Sequence, residues 1–265
     1  FNLGELSHAT AVKAKGTLSA QRVPYDMREL ALKQLSKWWV RRKDWWAANQ
    51  LAGNTASSGT PADRETTLGN DTYYTGMQAT VAPDANHVIR AGGVANDQSL
   101  TSNDIFHLGL IDIALEKAKT VYPIIRPLKY NGRDFYVCLI HPHQSVDLQI
   151  GSTSNGSWYS IEQALLQGGD IVGNPLFTGA LGIYKGVIVQ EWNRLPHAVN
   201  ASTGEAITTT RRAVFCGAQA AWLGYGQGFG PSQFKWVEKL FDYNRKLGVS
   251  AACIGGLKSS RFTLD

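Results

Sequence analysis

His141-Pro142-His143, with Asp147 close behind, brings two imidazoles and a carboxylate together, a donor set suited to zinc or iron. Pro142 interrupts it and no neighbouring Cys, Glu or third His completes it, so the segment reads as a loop ending a strand. The run Gly224-Tyr225-Gly226-Gln227-Gly228-Phe229-Gly230 has the small residues that let backbone N–H groups approach a phosphate. The preceding GAQAAWL reads as helix rather than strand, and no Lys-Ser/Thr follows, which favours a hinge or close-packed turn. Glu162, Asp170 and Glu191 are carboxylates without a paired acid, base or nucleophile, and no Gly-x-Ser-x-Gly elbow occurs. Eight tryptophans could build a sugar platform, but Trp38, Trp39, Trp45 and Trp46 sit at helical spacing, where packing is the usual reason. Arg41-Arg42-Lys43, with Lys37 and Lys33 one and two turns earlier, form the clearest basic cluster. It is either a solvated surface or a face that brushes DNA phosphates in sequence-independent, salt-sensitive contacts.

These side chains must be carried by identifiable elements. Residues 1–24 are polar, broken by Gly4, Gly16 and Pro24, and alternate loosely from Ala9 to Leu18, which predicts an extended arm or hairpin. Asp26 to Ala52 reads as a helix of roughly 40 Å, with Asp26 as N-cap, Glu29 completing a capping box and Gly53 as the stop. Met27, Ala31, Leu35, Trp38 and Trp45 make one stripe and Leu32, Trp39 and Trp46 another, so this helix is apolar on more than one side. Residues 54–98, opening with a Gly/Ser/Thr/Asn-rich stretch, show little helical period and are too long for an ordinary connection. They read as an exposed functional loop or a partly disordered segment.

A second helix is expected from Ser102 to about Lys119, capped by Thr101 and Asp104, with Ile105, Leu108, Asp112 and Leu115 on one face. In LKYNGRDFYVCLIHP, Asn131-Gly132 supplies the positive φ angles of a type I′ hairpin, and the apolar run Phe135–Ile140 predicts a strand covered on both faces. Further strands are expected at Ile183–Trp192, Arg212–Cys216, Phe234–Phe241 and Ser250–Ile254, and short helices at Ser160–Leu166 and Ala218–Leu223. This mixed order is α+β.

A chain of 265 residues with 43% hydrophobic and 18% charged residues can bury a substantial core and is far too apolar to be disordered. No apolar run approaches the roughly 20 residues needed to cross a bilayer. Cys138, Cys216 and Cys253 lie far apart in apolar stretches, as buried reduced thiols of a reducing compartment would. The first residues do not form a signal peptide, and an opening at Phe1 implies a processed or partial chain. A net charge of +5 permits contact with a polyanion without demanding it.

Several phrases occur in a telling order: QLSKWWVRRKDWWAANQLAG, RAGG at Arg90–Gly93, LTSNDIFHLGLIDIALEKAK, RPLKYNGRDFYVCLIHPHQSVDL, NPLFTGALGIYKGVIVQEWN and RRAVFCGAQAAWLGYG. Together they resemble the major capsid protein family of tailed bacteriophages typified by the N-four-type podophages, over residues 21–256. The resemblance implies the Hong Kong 97-type fold, with a long spine helix, peripheral and axial domains and an extended loop. It would divide the chain into an extended loop or arm (1–25), spine helix (26–53), exposed loop insertion (54–98), peripheral-domain helix and hairpin (99–140), a mostly axial region (141–230) and a return to the peripheral domain (231–265).

The implied function is a self-assembling coat subunit, located in the virion and assembled in the bacterial cytoplasm. It would form hexameric and pentameric capsomers of an icosahedral shell around double-stranded DNA. Its partners would be itself, the packaged DNA and decoration and portal proteins; no membrane, cofactor, metal or catalytic residue is expected. The candidate DNA-facing residues are Lys33, Lys37, Arg41, Arg42 and Lys43, and the candidate subunit contacts are Trp39, Trp46, Tyr73, Tyr74, Gly226 and Gly228. Another virion protein, a tryptophan-based carbohydrate-binding module and an undetected hydrolase are the alternatives.

Overall fold

The computed structural model describes residues 1–57, 71–150, 180–231 and 233–261. In chain order the strands and α-helices are β1 (Gly4–Lys13), α1 (Leu18–Gln21), α2 (Met27–Leu51), α3 (Leu108–Thr120), β2 (Leu128–Tyr130), β3 (Arg133–Ile140), α4 (Pro142–Ile150), β4 (Ala180–Tyr184), β5 (Val187–Glu191), β6 (Ala198–Val199), β7 (Ala206–Ile207), β8 (Val214–Cys216), β9 (Ala221–Tyr225), β10 (Lys235–Phe241) and β11 (Lys246–Ser259). They fall into two compact units. One comprises Phe1–Ala47, Asp71–Ala79 and Leu223–Lys258, and the other holds the remaining described residues.

The first unit is built on a sheet with β11 at its centre. Strand β1 lies antiparallel along one edge, from Gly4 opposite Gly255 to Lys13 opposite Lys246, and β10 along the other, from Lys235 opposite Ala252 to Phe241 opposite Lys246. Strand β9 also pairs with β11. Alternation in β1 turns Leu6 inward and leaves Ser7, Ala9, Ala11 and Lys13 exposed. Helix α2 starts where the Asp26 side chain accepts from the Arg28 N–H at 2.8 Å. Its residues Ala31, Leu35, Trp39 and Trp46 form the buried stripe. Side-chain contacts tie this helix to the sheet: His8 stacks flat on Trp38 at 3.9 Å, and Arg28 forks onto Glu238 at 2.9 and 2.6 Å.

In the second unit, β3 is central. It runs parallel to β5, with Tyr136 opposite Val187, and antiparallel to β2 and β8. The core gathers Leu108 and Ile111 of α3, Tyr136, Cys138 and Ile140 of β3, Leu148 of α4, and Val187 and Val189 of β5. Asn131-Gly132 has φ of 48° and 75°, the expected type I′ turn. The end of α2 is closed by two reversed bonds, Gly53 N–H to Gln50 O at 3.2 Å and Asn54 N–H to Asn49 O at 3.0 Å, with Gly53 at φ 58°. That is a Schellman stop, as its glycine predicts.

Several expectations need correction. The single strand expected over Ile183–Trp192 is a hairpin, β4–β5, because Lys185-Gly186 takes φ of 48° and 82° and reverses the chain. The strand expected at Ser250–Ile254 extends from Lys246 to Ser259, since partners along both its edges supply ladder bonds that its glycines and alanines do not advertise. Ala218–Leu223 is not a helix: Gln219 has φ 62° and β9 begins at Ala221, drawn onto β11. The second helix starts at Leu108 rather than Ser102. Asp104 accepts from Thr101 N–H and Oγ1, both at 2.8 Å, which closes a separate turn before it. His141-Pro142-His143 opens a helix instead of ending in a loop, with Pro142 at the first helical position. The described parts of 54–98 hold turns and short 3-10 helices, and Asn54, Thr75 and Gln78 within them are buried. The helix expected at Ser160–Leu166 lies outside the described residues.

Candidate functional site

One turn of α2 separates Lys33 from Lys37 and another separates Lys37 from Arg41, so the three cations line a single face, and all are exposed. Leu30 and Val40 are exposed beside them. Each further residue turns about 100° around the axis, which carries Arg42 and Lys43 off this face despite their adjacency in sequence. The Arg42 guanidinium lies over the rings of Trp38 and Tyr74 at 4.8 and 4.1 Å, and its Nη1 donates to Tyr73 O at 3.3 Å. Lys43 Nζ donates to Pro231 O at 2.7 Å and sits over the rings of Phe234 and Tyr225 at 4.9 and 5.2 Å. Burial holds the Lys43 pKa below its ordinary value. The cluster is therefore two things: an exposed three-cation stripe, and two cations engaged with aromatic rings inside the unit, each such contact worth about 0.5–2 kcal/mol.

The candidate contact residues are similarly divided. Trp39 and Trp46 are 3% and 2% exposed within the unit itself. Trp39 packs on Phe234 at 4.9 Å, and Trp46 Nε1 donates to Tyr73 O at 2.7 Å. Tyr73 is exposed, whereas Tyr74 lies under Arg42. Gly226 donates its N–H to Ile254 O at 2.9 Å, and a Cβ there would meet Ile254 Cγ2 at 2.9 Å; Gly228 has φ 78° in the following turn. One exposed apolar group in this unit was not read from sequence. Trp236, Val237, Leu240 and Phe241 are all exposed on β10, which among the described residues pairs only with β11. Its turn holds Asp242, Tyr243 and Asn244 at φ 58°, 52° and 64°, with Tyr243 99% exposed. The Asp and Asn around Tyr243 were the available signal, since both tolerate the left-handed region.

The chemistry-bearing motifs do not assemble. His141 is buried and its Nδ1 accepts from the His143 N–H at 3.2 Å, so it caps a helix. Among the described residues, no three His, Cys, Asp or Glu side chains could hold a metal. Glu162 and Asp170 lie outside the described residues, and Glu191 is exposed at the end of β5. Burial pushes the thiols of Cys138 and Cys216 up to about 12 and about 11, which keeps them protonated at neutral pH. Burial takes Trp39, Trp45 and Trp46 out of any sugar platform. No described helix is long and apolar enough to cross a membrane.

An ionic network appears where sequence showed only the RAGG phrase. Arg90 Nε reaches Asp97 Oδ1 at 2.5 Å, and the second Asp97 oxygen takes Arg212 Nη2 at 3.3 Å. Arg212 Nη1 also donates to the carbonyls of Ala52 and Gly53, at 3.1 and 3.0 Å.

A family model described as phage capsid protein matches residues 5–265. Among curated proteins, the major capsid protein of Pseudomonas phage KPP25 is 26% identical, over 94% of this chain and 66% of that relative. This chain thus spans just under two thirds of that relative's length. Among solved structures, the capsid of Ralstonia phage GP4 superimposes with a TM-score of 0.78 at 23% identity, covering 98% of this chain and 70% of that one. The cyanophage Pam1 capsid asymmetric unit gives a TM-score of 0.63 at 21% identity, covering 98% and 71%.

Proposed function

This chain belongs to the phage capsid protein family, and we propose on that premise that it is a major coat subunit of a tailed bacteriophage. Its fold is the α+β Hong Kong 97 type. In the proposed role it assembles with copies of itself, as hexameric and pentameric capsomers, into the icosahedral head shell around a double-stranded DNA genome. It acts in the virion after assembly in the host cytoplasm, and it turns over no substrate. Helix α2 is the spine helix, and residues 141–230 fall largely in the axial domain. Portal and decoration proteins are further partners of the shell.

The observation that carries this reading is the match of the family model to residues 5–265. The physical character of the first unit agrees with it. A shell subunit needs broad complementary surfaces rather than a cleft, and standard interfaces bury about 1,600 Å². Strand β10 offers exposed bulky side chains next to an edge that has no partner strand among the described residues, a surface that isolated proteins usually blunt. The stripe of Lys33, Lys37 and Arg41 is the part of the basic cluster available to phosphates, and we assign it to the DNA side.

The test is size-exclusion chromatography followed by negative-stain electron microscopy of the expressed chain. Shells, tubes or five- and six-membered rings are expected. A monomer that persists across salt and protein concentration would sink the proposal.

A further inference from the structure

Helix α4 begins immediately after β3, the central strand of the second unit, and its first residues are held by an unusual cap. N-cap positions favour Ser, Thr, Asp and Asn, whose side-chain oxygen accepts from a backbone N–H just inside the helix. Here the position belongs to His141, whose Nδ1 accepts from His143 N–H at 3.2 Å. In return the Gln144 side chain reaches back, its Oε1 accepting from His141 N–H at 2.9 Å. The arrangement is a reciprocal capping box with imidazole in place of hydroxyl. Gln144 is itself anchored, its Nε2 donating to Arg211 O at 3.0 Å.

An imidazole nitrogen accepts a hydrogen bond only while it carries no proton. The cap therefore requires His141 neutral, with its proton on Nε2. The residue is 8% exposed and its ring lies 4.8 Å from that of His143. The charged and titratable groups acting on it are Arg211 and His197, from the segment between β5 and β8, and His143 from the helix's own first turn. All act against a positive charge on the His141 ring. Protonation would thus remove the acceptor and place a further positive charge among these groups.

We propose that His141 is an acid-released cap: proton uptake at its Nδ1 frees the first turn of α4 where the helix leaves the central strand. Burial, then Arg211, His143 and His197, hold the His141 pKa down at about 4, against an ordinary value of 6.5. The sign follows from that depression. The unfolded chain takes up the proton first, so the full contribution of His141 is present above 6.5. It is lost progressively as pH falls towards about 4, where the folded chain is protonated too and the cap is gone.

The experiment is hydrogen exchange of the amides of residues 143–150 in the full chain, between neutral pH and pH about 4, corrected for intrinsic exchange. The comparison is His141→Asn, whose Oδ1 takes the place of Nδ1 and does not titrate. The wild-type chain should lose about five- to tenfold in protection over that range, the scale of one lost cap, and His141→Asn should not. A parallel loss in both chains overturns the proposal. Should His141→Asn fail to fold, ¹⁵N shifts of the wild-type imidazole decide the matter. A bare Nδ1 at neutral pH that titrates well below 6.5 supports the cap, and an Nδ1–H tautomer or titration near 6.5 refutes it.

Discussion

Arg212 is placed to hold three chain segments of the second unit at once. Its guanidinium fork meets the Ala52 and Gly53 carbonyls, just past the end of the long helix, with one nitrogen and Asp97 with another, while Arg90 occupies the other oxygen of Asp97. Carbonyls at a helix C-terminus lack intrahelical partners and carry partial negative charge, so a cation there satisfies both demands. Burial lowers the Arg212 pKa while Asp97 opposes the shift, and the group stays charged at any ordinary pH. Arg212→Met should cost about 1.5–3 kcal/mol, the range for hydrogen bonds to a charged group, measured by denaturant unfolding of the full chain. Arg212→Lys should recover only part of the loss, because an ammonium lacks the planar fork. Unchanged stability in Arg212→Met would refute the clasp. Arg90 was visible in the sequence as part of an isolated phrase, but its link to Arg212 through Asp97 joins residues more than a hundred positions apart, and no local signal marks such a pair.

The long helix shows how far element-scale signals carry. Asp26 and Gly53 bracket it in sequence, and both act as read: one accepts at the N-terminus, and the other turns through φ 58° to close the Schellman stop. Gly53→Ala should destabilise the chain by at least about 1–2 kcal/mol, the cost of a side chain in the left-handed region. Its Cβ would also lie 2.8 Å from Pro83 Cδ and 2.9 Å from Val81 O. Thermal unfolding checks this, and an unchanged midpoint would mean the stop tolerates a Cβ. Signals that depend on one or two residues were legible when the turn chemistry was recognised, as at Asn131-Gly132, and missed when it was not, as at Lys185-Gly186 and Pro142. Strand β11 failed for another reason. Its small residues have low intrinsic preference for a strand, and while β10 lies just before it in sequence, the other neighbour that compensates, β1, comes from the opposite end of the chain.

For the whole molecule, the consequence of the helix face is electrostatic. If Lys33, Lys37 and Arg41 meet phosphates of packaged DNA, replacing all three by Gln should lower the salt slope of duplex binding by about 2–3, because each lost phosphate contact removes close to one released counterion. Arg42→Gln should leave that slope alone and lower stability, since Arg42 is held by Trp38, Tyr74 and the Tyr73 carbonyl. Fluorescence anisotropy across a salt series separates the two, and an unaltered slope in the triple variant would remove the DNA-facing assignment. What the sequence determined by itself was local or cumulative: the caps and turns, the apolar central strand, the α+β class and the ordered phrases that carry the family resemblance. Each depends on a few adjacent residues or on their sum along the chain. What only the tertiary structure decided was pairing and exposure. It brought Leu6 opposite Cys253, turned Arg42 and Lys43 against aromatic rings while leaving Arg41 in solvent, and made an imidazole the cap of a helix. Those outcomes depend on which distant segment lies alongside, and a contact between positions far apart in the chain leaves no periodicity for a sequence to show.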